Sequence, residues 1–255
     1  MAESSLKLAL KHAAKRTIER LVRLGVPRVA PRVVRRIPHD TGAFTQGLAW
    51  HNGVLYEGTG GDTTSSVRAI DPGTGQLLHR VPIDGDFAEG IAALGDHLYQ
   101  LAFVSGHGRV YKLPSLERAG RRHYGGEGWG LAATPDGHLL ASDGTSLLRR
   151  FDESFAVVGH LAVRSHGLPV RWLNDLECVA NRVYANMYAA SDIAEIDAQS
   201  GRVLRFVDCG ALVAEVAPSL GYDVLNGIAY NPTAGTFYLT GKHWPTLFEV
   251  EIPTA

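Results

Sequence analysis

One short phrase recurs five times along the chain: a polar or aromatic residue, then Gly or Asp, then the apolar start of a strand. The instances are Gln46-Gly47-Leu48, Glu89-Gly90-Ile91, Trp129-Gly130-Leu131, Asn174-Asp175-Leu176 and Asn226-Gly227-Ile228, at intervals of 43, 40, 45 and 52 residues. A repeat of about 40–50 residues built from short strands is the signature of a β-propeller blade. Blades pack radially, so equivalent positions meet at the central axis. Whatever fills the variable slot of the phrase therefore forms one constellation, although its members are far apart in sequence.

Each repeat divides into three or four short strands separated by turn signals such as Asp71-Pro72-Gly73-Thr74-Gly75 and Pro135-Asp136-Gly137. The fifth repeat ends one strand short, whereas Val33–Ile37, ahead of the first, is a spare strand. Pairing the two closes the ring and removes its exposed edges. The expected fold is all-β, a five-bladed β-propeller over residues 33–255, preceded by an appendage over residues 1–32. A hydrophobic content of 45% is ample for such a core, and 29 glycines suit its many turns.

Charge separates the two parts. Residues 1–36 hold ten Lys/Arg against two Glu, leaving 15 Lys/Arg against 24 Asp/Glu for the rest. An acidic body argues against a nucleic-acid groove. In the appendage Leu6, Leu10, Ala13, Ala14, Ile18, Leu21 and Val22 recur at helical spacing, which predicts a basic amphipathic helix over about residues 5–24 that docks on its own domain or a neighbour, or lies on an anionic membrane surface. Its lysines and arginines interrupt the apolar stretch an export signal needs, so the expected compartment is the cytoplasm, with a periplasmic or secreted location as the alternative. No apolar run is long enough to span a membrane. Two cysteines, Cys178 and Cys209, exclude a disulfide framework and read as small buried apolar residues.

In a propeller blade the start of the innermost strand and the turn between the second and third strands share one face. That face gathers Phe44, Gln46, Phe87, Glu89, Trp129, Trp172, Asn174 and Asn226, with Tyr188 and Lys242 from the turns. The result is an aromatic pocket with one acid and one base, the usual make-up of a small-ligand site. Glu89 is the one carboxylate in the variable slot, and partial desolvation would raise its pKa into a range useful for general acid–base work. Lys242 would hold a carbonyl oxygen or fix Glu89 as its anion. The eleven histidines show no metal-ligand spacing, and serine-nucleophile, phosphate-loop and dinucleotide motifs are missing.

Six segments in order resemble the plant- and bacterial-type glutaminyl-peptide cyclotransferases (glutaminyl cyclases). They are Pro38-His39-Asp40 with Ala43-Phe44-Thr45-Gln46-Gly47-Leu48; Phe87-Ala88-Glu89-Gly90; Gly128-Trp129-Gly130-Leu131 with Ser142-Asp143-Gly144-Thr145; Arg171-Trp172-Leu173-Asn174-Asp175-Leu176-Glu177; Asp223-Val224-Leu225-Asn226-Gly227-Ile228-Ala229; and Thr240-Gly241-Lys242-His243-Trp244-Pro245. The resemblance implies a five-bladed propeller that converts the N-terminal glutamine of peptides or proteins to pyroglutamate with release of ammonia, using no metal or other cofactor. It places the catalytic roles on Glu89 and Lys242 and the substrate-binding roles on Phe44, Gln46, Phe87, Trp129 and Asn174. Tyr188 stands where the family commonly has a pocket Trp, and Ala88 where it has Gly. Asn226 is expected to be structural. The rival readings are a metal-dependent, lactonase-like propeller hydrolase with Glu89, Asn174 and Asn226 as oxygen ligands, and a non-catalytic binding propeller.

Overall fold

The computed structural model of the chain describes residues 20–216 and 224–253. Five sheets of four or five strands surround one axis. Blade one runs outward through Thr45–His51, Val54–Thr59, Ser66–Ile70 and Leu77–Pro82. Blade two follows with Ala88–Leu94, His97–Ala102, His107–Lys112 and Arg118–His123, and blade three with Leu131–Ala133, Leu139–Ala141, Leu147–Phe151 and Val157–Ala162. Blade four has Leu173–Val179, Arg182–Met187, Asp192–Asp197 and Val203–Asp208. Blade five has Leu225–Asn231, Thr236–Gly241 and Thr246–Glu251, with Arg32–Pro38 as its outermost strand.

Burial follows radial position. Second strands such as Val-Leu-Tyr-Glu-Gly-Thr at 54–59 are buried along nearly their whole length because each blade is sandwiched between two others. Outer strands such as Arg118–His123 are mostly exposed. Among the described residues the apolar core is accordingly divided. Five apolar clusters fill the five seams between neighbouring blades.

Closure of the ring is written in charge as well as in strand pairing. Arg32–Pro38 runs antiparallel to Thr246–Glu251 with Arg32 opposite Glu251 and Arg35 opposite Glu249, and both pairs make ion pairs, Arg35 Nε lying 2.5 Å from Glu249. Opposite charges facing across strands favour this register over a slipped one.

The end of the appendage also joins the ring. Arg28–Val29 adds a parallel fifth strand to blade four, and Arg28 pairs with Asp192 and Asp208. The amphipathic helix expected over residues 5–24 lies mostly outside the described residues. Of it, residues 20–23 are helical, Val22 is buried in the seam between blades three and four, and its carbonyl accepts a hydrogen bond from Ser165 Oγ at 2.6 Å. The longest interval between phrases contains a helix that the sequence reading did not anticipate, Gly210–Val216, which buries Leu212 and Val216. Both cysteines are free thiols. Among the described residues, no helix is long and apolar enough to cross a membrane.

Candidate active site

The recurring phrase is a backbone device. In blades one, two, four and five the pairing of the first two strands slips at the phrase, between Thr45 and Gly47, Ala88 and Ile91, Leu173 and Leu176, and Leu225 and Ile228. Such a bulge re-aims a side chain out of the regular pleat. Its second slot explains the glycines. A Cβ on Gly90 would lie 2.7 Å from Gly130 Cα, and one on Gly130 would lie 2.0 Å from the Asn174 carbonyl oxygen. The inner strands converge too closely for side chains, except in blade four. There the Asp175 carboxyl fills the axis, accepting from the backbone N–H of Leu48 at 3.2 Å and of Ile228 at 2.9 Å.

Above this plug lies a cavity of about 750 Å³. All eight side chains expected at the site, Phe44, Gln46, Phe87, Glu89, Trp129, Asn174, Tyr188 and Lys242, line it together, as does Trp172. Asn226 does not line it. It sits below, donating from Nδ2 to the carbonyls of Thr45 and Gln46 and to Gln46 Oε1. Gln46 in turn donates from Nε2 to Glu89 Oε1 at 2.9 Å. Both ends of the Gln46 amide are therefore engaged in holding Glu89, a task the sequence reading had not given it.

Glu89 is 5% exposed. Burial raises its pKa well above the ordinary carboxylate value; the charge of Lys242 opposes this, while Asp175 and Glu127 add to it. Burial also lowers the Lys242 ammonium, against the pull of Glu89. Lys242 Nζ lies 4.4 Å from the Phe44 ring centroid and 5.9 Å from that of Tyr188, so aromatic faces help to solvate it. Asn174 Oδ1 is a buried acceptor with no hydrogen-bond partner among the described residues.

The aromatic wall depends on two glycines. A Cβ on Gly60 would stand 2.3 Å from the Phe87 ring, and one on Gly144 would stand 2.6 Å from the Trp129 indole. Trp129 packs edge-on to Tyr188 at 5.6 Å between centroids, and Phe44 edge-on to Phe87 at 6.0 Å. Asp62, Phe103 and Val104 also line the cavity. They occupy the same second-to-third strand turns that yield Tyr188 and Lys242, so that rule, applied to blades one and two, would have found them. Among the described residues no group of three His, Cys, Asp or Glu side chains is placed to hold a metal ion.

A ring of five short-stranded sheets with a buried carboxyl at the mouth of its axis defines a propeller whose site is assembled from every blade. The family model described as glutamine cyclotransferase matches residues 4–252. A glutaminyl-peptide cyclotransferase of Arabidopsis thaliana is 38% identical over 229 residues, which is 88% of this chain and 71% of that one. The crystal structure of the glutaminyl cyclase of Myxococcus xanthus matches with a TM-score of 0.85 at 37% identity, covering 90% of this chain and 99% of that one. The chain belongs to the glutamine cyclotransferase family.

Proposed function

We propose that this protein cyclises the N-terminal glutamine of peptides or proteins to pyroglutamate, releasing ammonia. The observation that carries this reading is the Glu89 carboxyl, buried at the cavity floor, held by Gln46 and facing the charge of Lys242 beneath an aromatic rim.

The substrate's own α-amine attacks its own γ-amide carbon, so the enzyme's first task is to fold a flexible side chain into a near-attack ring. Trp129, Tyr188, Phe44 and Phe87 enclose that ring. Asn174 Oδ1, left without a partner, accepts a hydrogen bond from the amine. An α-amine has a pKa of about 7.7–8.0, so a modest base suffices. As the N–C bond forms, Glu89 takes a proton from the amine nitrogen. Lys242 stabilises the tetrahedral oxyanion. Glu89 then returns the proton to the amide nitrogen, the C–N bond breaks, and ammonia leaves with Glu89 in its starting state. Proton and charge are both handled by side chains of the chain, and no metal is called for.

The test is ammonia release from Gln-Xaa peptides, with and without a chelator. Turnover should survive chelation, whereas its loss would move the assignment to a metal-dependent hydrolase. Glu89→Gln should lower kcat/KM by about 10²–10⁴, the usual worth of a general acid–base group, with circular dichroism unchanged. A near-wild-type rate in that variant would remove Glu89 from the mechanism.

A further inference from the structure

The Pro38-His39-Asp40 motif has no part in the chemistry above, yet it lies where the ring closes. Among the described residues, the seam between blades five and one has the smallest apolar cluster of the five, seven buried side chains against sixteen between blades three and four. A buried polar group accompanies it. The side chain of His39 is 2% exposed and that of Glu57 is 0% exposed. His39 Nε2 stands 2.9 Å from Glu57 Oε1, and Nδ1 stands 2.8 Å from the Trp244 carbonyl oxygen. A carboxylate and a carbonyl are acceptors only. A neutral imidazole has one N–H and would leave its bare nitrogen against an oxygen lone pair, whereas the imidazolium donates to both.

Further polar groups surround the pair. Thr45 Oγ1 donates to the same Glu57 oxygen at 2.7 Å, and Thr240 Oγ1 lies 3.4 Å from His39 Nδ1. Arg68 Nη1 lies 3.8 Å from Glu57 Oε2 and 2.8 Å from Asp40, which offsets its charge. Burial disfavours the charged ring, and Arg68 adds to that, but the Glu57 carboxylate and the Trp244 carbonyl together outweigh both and raise His39 above its ordinary value. Burial likewise pushes Glu57 up, and His39, the Thr45 hydroxyl and Arg68 together outweigh it, leaving Glu57 lowered.

The Trp244 carbonyl belongs to the turn that carries Lys242. The same turn is laced to the segment leading into blade one. His39 N–H donates to the Pro245 carbonyl at 2.9 Å and His243 N–H to the Ala43 carbonyl at 2.8 Å. His243 Nδ1 lies 2.8 Å from the Thr41 carbonyl oxygen. Phe44 and Gln46 follow directly on this segment, and Lys242 sits over the Phe44 ring. His39 itself lies outside the cavity lining.

We propose that His39 is a positioning residue: a buried imidazolium that, by donating to Glu57 and to the Trp244 carbonyl at once, locks the Lys242 turn of blade five against the Phe44–Gln46 entry of blade one. Its catalytic consequence rests on the function proposed above; its protonation state does not. With a folded pKa raised above an unfolded value of about 6.5, the lock is fully present below that pH and is lost as pH rises through the folded value.

The experiment is ¹⁵N NMR of the histidine rings in the intact protein, with the His39 signal assigned by its loss in His39→Gln, alongside a pH profile of kcat/KM. The expected result is a ring mostly protonated on both nitrogens at about pH 6.5 and a midpoint above that value, with an alkaline fall in kcat/KM at the same midpoint. His39→Gln, which can satisfy one partner but not both, should lower kcat/KM by about 10- to 100-fold and lose that limb of the profile. Glu57→Gln should bring the His39 midpoint below about 6.5. A neutral His39 tautomer at that pH, or a folded His39→Gln variant with unchanged kcat/KM and pH profile, would overturn the proposal. Should His39→Gln fail to fold, the assignment can be made in Glu57→Gln, and coincidence of the NMR and kinetic midpoints in the wild type decides the matter. Full activity in Lys242→Met would instead unseat the role of Lys242 and leave the state of His39 standing.

Discussion

Glu89 and Asp175 are two buried carboxyls near one axis, and burial raises both well above the ordinary range. Their partners differ. Asp175, at 0% exposure, accepts from backbone N–H groups of blades one and five while belonging to blade four, so it joins three inner strands. Glu89 accepts from the side chain of Gln46 and faces a cavity and an ammonium. The same phrase thus builds two layers. Its second slot closes the ring through backbone partners that hold the fold, and its first slot opens on the cavity through side chains that can exchange protons.

The largest expected effect separates the layers directly. At about pH 4, where the ionisation penalty of a buried carboxyl is small, Asp175→Ala strands two buried N–H donors, each costing about 1–3 kcal/mol, so the variant should lose about 2–6 kcal/mol and its Tm about 5–20 °C. The remaining folded fraction should keep most of its turnover. Glu89→Gln should do the reverse. A carboxyl whose pKa is raised on folding costs stability once pH exceeds its unfolded value of about 4.3, so removing it should leave Tm unchanged or raise it at neutral pH. If thermal melts show Asp175→Ala as stable as wild type while activity is lost, the division into layers is wrong.

A smaller effect tests whether Lys242 and Glu89 share one electrostatic field. Lys242→Met should lower kcat/KM by about 10²-fold, as for loss of one oxyanion donor. It also removes the positive charge that opposes the rise of the Glu89 pKa. The Glu89 pKa should rise further, and the acidic limb of the pH–kcat/KM profile should move to higher pH. A limb that stays in place would show that the lysine acts on the substrate alone.

Much of this was legible in the sequence because a propeller turns a period into a place. The interval of the phrase supplied the blade count, and the turn rule brought Tyr188 and Lys242 to the same cavity as Glu89. Asp175 was harder to read, since Asp and Gly share the second slot and only the approach of Gly47, Gly90 and Gly130 at the axis shows that a single side chain fits there. Arg28–Val29 is a two-residue strand, too short to carry periodicity. The helix Gly210–Val216 did leave a signal: Asp208 Oδ1 accepts from Gly210 N–H at 3.0 Å, a capping pattern inside the longest interval. The charge of His39 depends on carbonyl and carboxylate partners 205 and 18 positions away, which no local pattern encodes.

The smallest expected effect asks how finely the first layer is shaped. Gly144 has a φ of 75°, and a Cβ there would press on the Trp129 indole, whereas Gly137 has a φ of 80° and open space around its Cβ position. Both lie in turns of blade three. Ala at either position pays the left-handed penalty of about 1–2 kcal/mol, so Gly137→Ala should lose about that much in chemical denaturation and Gly144→Ala at least as much. Only Gly144→Ala must also displace Trp129, whose edge contact with Tyr188 forms one wall of the cavity. Its KM for a Gln-initiated peptide should rise several-fold, while Gly137→Ala keeps the wild-type value. Equal KM values would mean that the indole has room to move and that the wall is softer than its contacts suggest. A rise in KM confined to Gly144→Ala would tie the shape of the pocket to the absence of one methyl group, separately from the stability of the blade that carries it.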